Sequence, residues 1–267
     1  MKKILILISG KLKYLSDQNF FRIKENFKNF DTNFFLTPWS NEDESLIMKF
    51  KNNYKPLMVK KIVSKKYDNE IKRVKFPDYA ANIQGFFYNW DGFCKGINEI
   101  ISYSYKKKYF PDYILRYRSD ILPKKNSFFK IPEIVHDKQL IVPDRYHWHG
   151  INDQIFLLNF NTAKIFNFFF NFVKNHIDEE RFFSGEYIFY RFLKKNKFQL
   201  TFNNFNYNLM REKNFKKEIL SNDFKSIIPF RDNLTIKFNK FNYKIRNFSE
   251  FFIFKNKRNK YQDIVVD

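Results

Sequence analysis

The sequence predicts an α/β protein built on a mostly parallel sheet with helices packed against it. Two observations carry this prediction. Ile4-Leu5-Ile6-Leu7-Ile8 is an unbroken β-branched and leucine run closed by Ser9-Gly10, the form of a strand buried on both faces. Further short apolar runs alternate along the chain with stretches whose apolar residues recur every three to four positions, and no internal repeat competes with that pattern.

Taken in order, Ser9-Gly10 forms the first strand-to-helix turn, where small residues let a ligand approach the backbone or simply end the strand. Ser16 caps a helix over residues 16–30, whose Phe20, Ile23, Phe27 and Phe30 share a face. Residues 32–36 read as a second strand ending in Thr37-Pro38-Trp39-Ser40. A short helix over 45–50 and a strand over 58–62 follow, and the charged, patternless segment 64–75 reads as a mobile loop. The longest helix spans 82–106, with Ile83, Phe86, Phe87, Trp90, Phe93, Ile97, Ile100, Ile101 and Tyr105 at helical spacing and Asn82 or Asp78 as its cap. Gln84 and Asn89 sit among its aromatics, either as satisfied amides or, near the N-terminal turn, facing a ligand crevice.

After Pro111 a strand begins at Tyr113, and alternation turns Ile114, Arg116, Arg118 and Asp120 to one side. Residues 140–142 form a strand that Pro143 breaks, 155–158 start a strand or helix, and Thr162 caps a helix running through Ile165, Phe169 and Phe172. Ser184-Gly185 introduces a last helix over 186–195. Residues 1–215 are thus read as one α/β domain, and 216–267, where basic and aromatic residues interleave, as a smaller C-terminal subdomain or tail.

The net charge of +21 invites nucleic acid, an anionic surface or an anionic substrate as partner. The lysines are spread along the whole chain, whereas a nucleic-acid binder concentrates them on one face, so nucleic acid is not expected. Abundant Lys, Asn, Phe, Ile and Tyr with scarce Gly and Pro is also what an A+T-rich coding sequence imposes. With Cys94 alone, the 267 residues hold no intramolecular disulfide and no cysteine-rich zinc site. The apolar run after Met1-Lys2-Lys3 stops at Ser9, short of the about 7–15 residues of a signal-peptide core. No stretch approaches the ~20 apolar residues of a membrane span. The expected location is the cytoplasm, soluble or peripherally bound, at the inner face of the inner membrane. No Gly-x-Gly-x-x-Gly or Gly-x-x-x-x-Gly-Lys-Ser/Thr motif is present, which argues against dinucleotide and P-loop sites.

Two polar knots interrupt this scaffold. Tyr113-Ile114-Leu115-Arg116-Tyr117-Arg118-Ser119-Asp120 turns from apolar to charged at the end of a strand, where open α/β sheets bind ligands. An arginine fork suits phosphate oxygens, and a carboxylate there suits a divalent cation bridging phosphates. A structural ion pair of Arg116 or Arg118 with Asp120 is the alternative. The second knot, residues 144–154, holds His147 and His149 at a spacing that puts both imidazoles on one face of an extended chain, two metal-type ligands without a third nearby. Asp153, beside Gln154, is the better catalytic candidate, as a carboxylate that accepts a hydroxyl proton; as an alternative it caps the element that follows.

Ile4 to Gly10, Thr37-Pro38-Trp39, Asn82-Ile83-Gln84, Tyr113 to Asp120 and Asn152-Asp153-Gln154 occur in that order, with Glu186 on a later helix. The series resembles the small bacterial glycosyltransferases of surface-polysaccharide loci, similar to the WavE lipopolysaccharide-synthesis family, over about residues 1 to 200. The resemblance implies a GT-A-like fold and transfer of a sugar from a nucleotide-diphosphate sugar to a hydroxyl of a growing glycan, in lipopolysaccharide, lipooligosaccharide or capsule. It places Ser9 and Gly10 against the nucleotide, Arg118 at the diphosphate and Asp120 at a metal-binding acid; Gln84 and Arg116 are further donor-side candidates, His147 and His149 acceptor-side candidates, and Asp153 is the catalytic base if the transfer inverts, whereas a retaining transfer needs no base on that face. Here Arg-Ser-Asp replaces the usual Asp-x-Asp, so one acidic ligand is available and a manganese or magnesium cofactor is an open point. The runner-up is a non-catalytic basic module binding an anionic membrane or nucleic acid through the C-terminal third. Phe238, Phe241, Tyr243, Phe248, Phe251, Phe252 and Phe254, interleaved with lysine and arginine, also suit an enzyme resting on anionic headgroups beside a lipid-linked acceptor.

Overall fold

The computed structural model describes residues 1–12, 15–63, 66–74, 83–125, 127–144, 151–178, 185–209 and 263–265. Its strands are β1 (Lys3–Gly10), β2 (Asp31–Pro38), β3 (Met58–Val59), β4 (Tyr113–Tyr117), β5 (Ile121–Pro123), β6 (Gln139–Pro143), β7 (Ile155–Asn159), β8 (Gln199–Asn203), β9 (Tyr207–Leu209) and β10 (Asp263–Val265). The helices are α1 (Asp17–Asn26), α2 (Glu44–Tyr54), α3 (Asp68–Arg73), α4 (Ile83–Lys107), α5 (Phe160–Phe166), α6 (Phe169–Asp178) and α7 (Gly185–Lys195).

Eight strands form one sheet in the order β3-β2-β1-β4-β7-β6-β8-β10, and β5 with β9 makes a separate two-stranded ribbon. β1 pairs in parallel with β2 and β4, β2 with β3, and β6 with β8; β7 runs against both of its neighbours and β10 against β8. This is a Rossmann-type sheet, mostly parallel and flanked by helices. The reversal of β7 matters most for the site. It brings residues 152–154, just before β7, to the edge where β4 delivers residues 118–120.

Side-chain alternation sorts the strands into two cores. Leu5, Leu7, Ile114, Phe156 and Leu158 pack with α4, α5, α6 and α7, while Ile4, Ile6, Ile8, Leu115, Ile155 and Leu157 pack with α1 and α2. β1 contributes to both, as an apolar run without alternation should. α4 lies unusually close to the sheet because Gly92 and Gly96 stand one turn apart on its inner face. A Cβ at Gly96 would come 2.9 Å from Leu7, and one at Gly92 3.2 Å from the Trp39 ring.

Several boundaries move. Ser16 does cap α1, its Oγ accepting from the Asn19 amide at 3.2 Å, but the helix stops at Asn26 because Phe27 leaves helical geometry. The segment expected as a loop holds α3, and β3 is shorter than expected, with Ile62 joined to Trp39 only by an isolated bridge. The helix expected to start at Thr162 is two helices, α5 and α6, and its cap is Asn159, whose side chain accepts from the Thr162 amide at 2.8 Å. Thr162 instead accepts from the Lys138 amide. β5, β8 and β9 were not anticipated. Asn82, Asp78 and the interleaved residues 238–258 lie outside the described residues.

Cys94, on α4, is buried and donates its thiol to the Phe166 carbonyl at 3.3 Å. Burial pushes the thiol from 9.0 up to about 12. Labelling of the native chain by a disulfide reagent is therefore expected to be about a thousandfold slower than in denaturant, since the thiolate is the reactive form. Equal rates in the two states would show that Cys94 is not enclosed by α4 and α5.

Candidate active site

β4 ends at Tyr117, not at Asp120 as alternation alone suggested. Arg118, Ser119 and Asp120 form a tight turn into β5, so Arg118 and Asp120 meet because the chain bends, not because a strand continues. The Arg118 fork donates to Asp120 from Nε to Oδ1 at 3.0 Å and from Nη2 to Oδ2 at 2.5 Å. The turn is pinned from below. Asn19 of α1, fully buried, donates to the Ile121 carbonyl at 3.0 Å, Ser119 Oγ donates to the Lys11 carbonyl, and the Arg118 amide donates to the Gln154 carbonyl at 3.2 Å.

Asn152, Asp153 and Gln154 are held from the other side. Asn152 Nδ2 donates to the Tyr207 hydroxyl at 2.8 Å, that hydroxyl donates to Gln154 Oε1 at 2.9 Å, and the Gln154 amide donates back to Asn152 Oδ1 at 2.9 Å. All three side chains are fully buried, so the residues bracketing Asp153 have fixed positions. Asp153 itself is buried against the first residue of α7, where a Cβ on Gly185 would lie 3.4 Å from Asp153 Oδ2 and 2.9 Å from the Phe86 ring. Gly185→Ala must displace the ring or the carboxylate. Its expected effect is a stability loss of about 1 kcal/mol, the low end for overpacking, read from the denaturant midpoint.

Arg116 is 1% exposed, with its guanidinium 4.0 Å from the Trp90 ring centre, 4.7 Å from Phe93 and 5.5 Å from Phe156. It donates from Nη2 to Asn89 Oδ1 at 2.9 Å, while Nε and Nη1 have no hydrogen-bond partner among the described residues. Burial pushes its pKa down to about 10, and Asp153 opposes that fall. For Arg118 burial also favours the neutral form, but Asp120 and Asp153 outweigh it and hold the guanidinium above its ordinary value. The Arg118–Asp120 pair and buried Arg116 thus lie within the charge field of Asp153 at the β4–β7 edge. Arg116, expected on the donor side, lies under the floor of this edge and acts on it through charge.

The other expected donor residues gather at the ends of β1 and β2. Gly10 has φ 92°, a left-handed conformation that favours glycine, and a Cβ there would lie 3.4 Å from Trp39 Nε1. Trp39 packs on Tyr88 at 5.2 Å, and Gln84, exposed, donates to the Tyr88 hydroxyl at 2.7 Å. Ser9 is half-buried at the same edge. His147 and His149 lie outside the described residues. Sequence reasoning did not single out Tyr207 or Asn19, and it read Gly185 only as the opening of a helix, with no link to Asp153.

A divalent ion at Asp120 is tested by that residue's own surroundings. Both of its oxygens already receive Arg118, and among the described residues no three His, Cys, Asp or Glu side chains converge as ligands. An ion carrying two charges at about 4 Å from a guanidinium meets a repulsion of about 2 kcal/mol in water and about 8 kcal/mol at a protein-surface dielectric. The residues present therefore do not fit a divalent ion at Asp120.

No family model and no curated protein sequence matches the chain. Among solved structures it is similar to galactosyltransferase LgtC in complex with donor and acceptor sugar analogs, at 10% identity and TM-score 0.42 over 70% of this chain and 69% of that one. It is similar to mouse xyloside xylosyltransferase 1 in its apo form at 11% identity and TM-score 0.37, over 72% of this chain and 81% of that one. It is also similar to the inositol-1-phosphate CTP transferase from T. maritima at 10% identity and TM-score 0.36, over 80% of this chain and 91% of that one. At such values a likeness assigns no reaction and no residue role.

Proposed function

We propose that the chain is a glycosyltransferase that moves a sugar from a nucleotide-diphosphate sugar to a hydroxyl of a bacterial surface glycan, such as lipopolysaccharide, lipooligosaccharide or capsule. The observation that carries this reading is the meeting of the Arg118 turn and buried Asp153 at one edge of the sheet, made possible by the reversal of β7. In an α/β sheet of this kind a ligand sits beyond the ends of the strands.

In the proposed reaction the bond between the sugar's anomeric carbon and the donor diphosphate breaks, and a bond to the acceptor oxygen forms. Asp153 takes the acceptor hydroxyl proton, as an inverting displacement requires. Arg118 faces the charge that grows on the leaving diphosphate, and Arg116 adds its field from beneath. The Tyr207 network keeps Asp153 from swinging away. Ser9, Gly10, Gln84 and Trp39 line the nucleotide side, and His147 and His149 belong to the acceptor side.

The transferase unit is residues 1–215, to whose sheet β10 adds an edge strand from the C-terminal segment, and the basic, aromatic part of 216–267 before β10 is an accessory segment that rests on anionic headgroups at the cytoplasmic face of the inner membrane, beside a lipid-linked acceptor. Among the described residues no helix is long and apolar enough to cross a membrane. The test is a panel of nucleotide sugars, with release of nucleoside diphosphate followed for the wild type and Asp153→Asn. Release that depends on Asp153 supports the reading, and no turnover of any donor, with or without bacterial glycan acceptors, counts against it.

A further inference from the structure

The hydrogen-bonding capacity left over at the β4–β7 edge is of one kind. Among the described residues, Arg116 Nε and Nη1, Gln154 Nε2 and Trp90 Nε1 are buried N–H donors without partners, and all belong to residues at or next to that edge. At the exposed turn the carboxylate is committed, since both Asp120 oxygens receive Arg118. Arg118 retains three of its five N–H donors and keeps 22% of its side chain exposed, so it is the cation that can be touched. A turn with spare N–H donors and an engaged carboxylate complements an anion, whereas a cation site has the opposite surplus.

Resting on the donor-site reading above, we infer that this chain meets the diphosphate of its ligand through guanidinium charge alone, without a divalent ion, and that Arg118 is the residue in contact. Asp120 is then a positioning residue that holds the fork flat and in place, and not a metal ligand. Arg116 and the buried donors form a positive underlayer that the ligand does not touch.

Calorimetric titration of the full chain with UDP, GDP, CDP and ADP, in EDTA and in manganese, tests this, with manganese alone as a further probe. The expected result is one nucleoside diphosphate whose Kd agrees within about threefold in the two buffers, with no heat from manganese by itself. Arg118→Lys, which keeps charge but loses the fork, should weaken that binding about tenfold in EDTA. Asp120→Asn loosens the fork without removing it, so it should weaken binding by the same few-fold factor in EDTA and in manganese, with circular dichroism confirming the fold. Binding only in manganese, or a loss in Asp120→Asn that appears in manganese and not in EDTA, overturns the inference while leaving the glycosyltransferase reading standing. No binding of any diphosphate in either buffer overturns both.

Discussion

Asp153→Asn is expected to lower the rate of sugar transfer by about 10²–10⁴-fold, the range general-base catalysis contributes. The amide keeps the size and shape of the carboxylate, so Gly185 and Phe86 still fit around it. What disappears is the ability to take a proton. The Tyr207 hydroxyl, Asn152 and Gln154 hold the flanking backbone independently of residue 153, so the folded structure should survive, as near-ultraviolet circular dichroism would check. Initial rates with saturating donor are the readout. A fall of less than about threefold would place the base elsewhere.

Arg116→Ala is expected to cost about 3–5 kcal/mol of stability, as removal of one member of a buried charged set does. The guanidinium fills the space between Trp90, Phe93 and Phe156, satisfies Asn89 Oδ1 and faces Asp153. Alanine would leave a cavity among three rings, an unmet amide oxygen and a buried carboxylate with one counter-charge fewer. Arg116→Met refills the aromatic cage without the charge, so it should recover much of the stability in urea denaturation while transfer stays depressed. If Arg116→Ala lost less than about 1 kcal/mol, the buried guanidinium would not be holding the β4–β7 edge together.

The legible parts of this chain were those with a strong local period. The apolar run of β1, the ladder of α4 and the helix after Gly185 stand close to where the sequence puts them, because burial on both faces or along one stripe leaves a pattern in the chain itself. The failures have a common cause in contacts between distant residues. Nothing local to residues 68–73 announces α3, which has no buried residue and shows an inner face only where Ile71 packs on the core beside α6. The break between α5 and α6 falls among phenylalanines that suit one helix as well as two. Thr162 is an acceptable cap by type, and Asn159 takes that role because β7 ends there.

The candidate site divides the same way. By itself the sequence determined which charges exist and that they follow apolar strands: Arg116, Arg118 and Asp120 after one, Asp153 before another. It left open whether Arg118 and Asp120 would face a ligand or each other, and it set Arg116 beside Arg118 as an equal. The tertiary structure decided that β7 runs backward, that the chain turns after Tyr117 so the Arg118 fork closes on Asp120, and that α4 covers Arg116 with aromatic rings. The physical reason is that a residue's type records what it can bond to. Which of several possible partners it meets depends on strand direction and on how closely Gly92 and Gly96 let α4 approach, and those are settled only when the sheet is assembled.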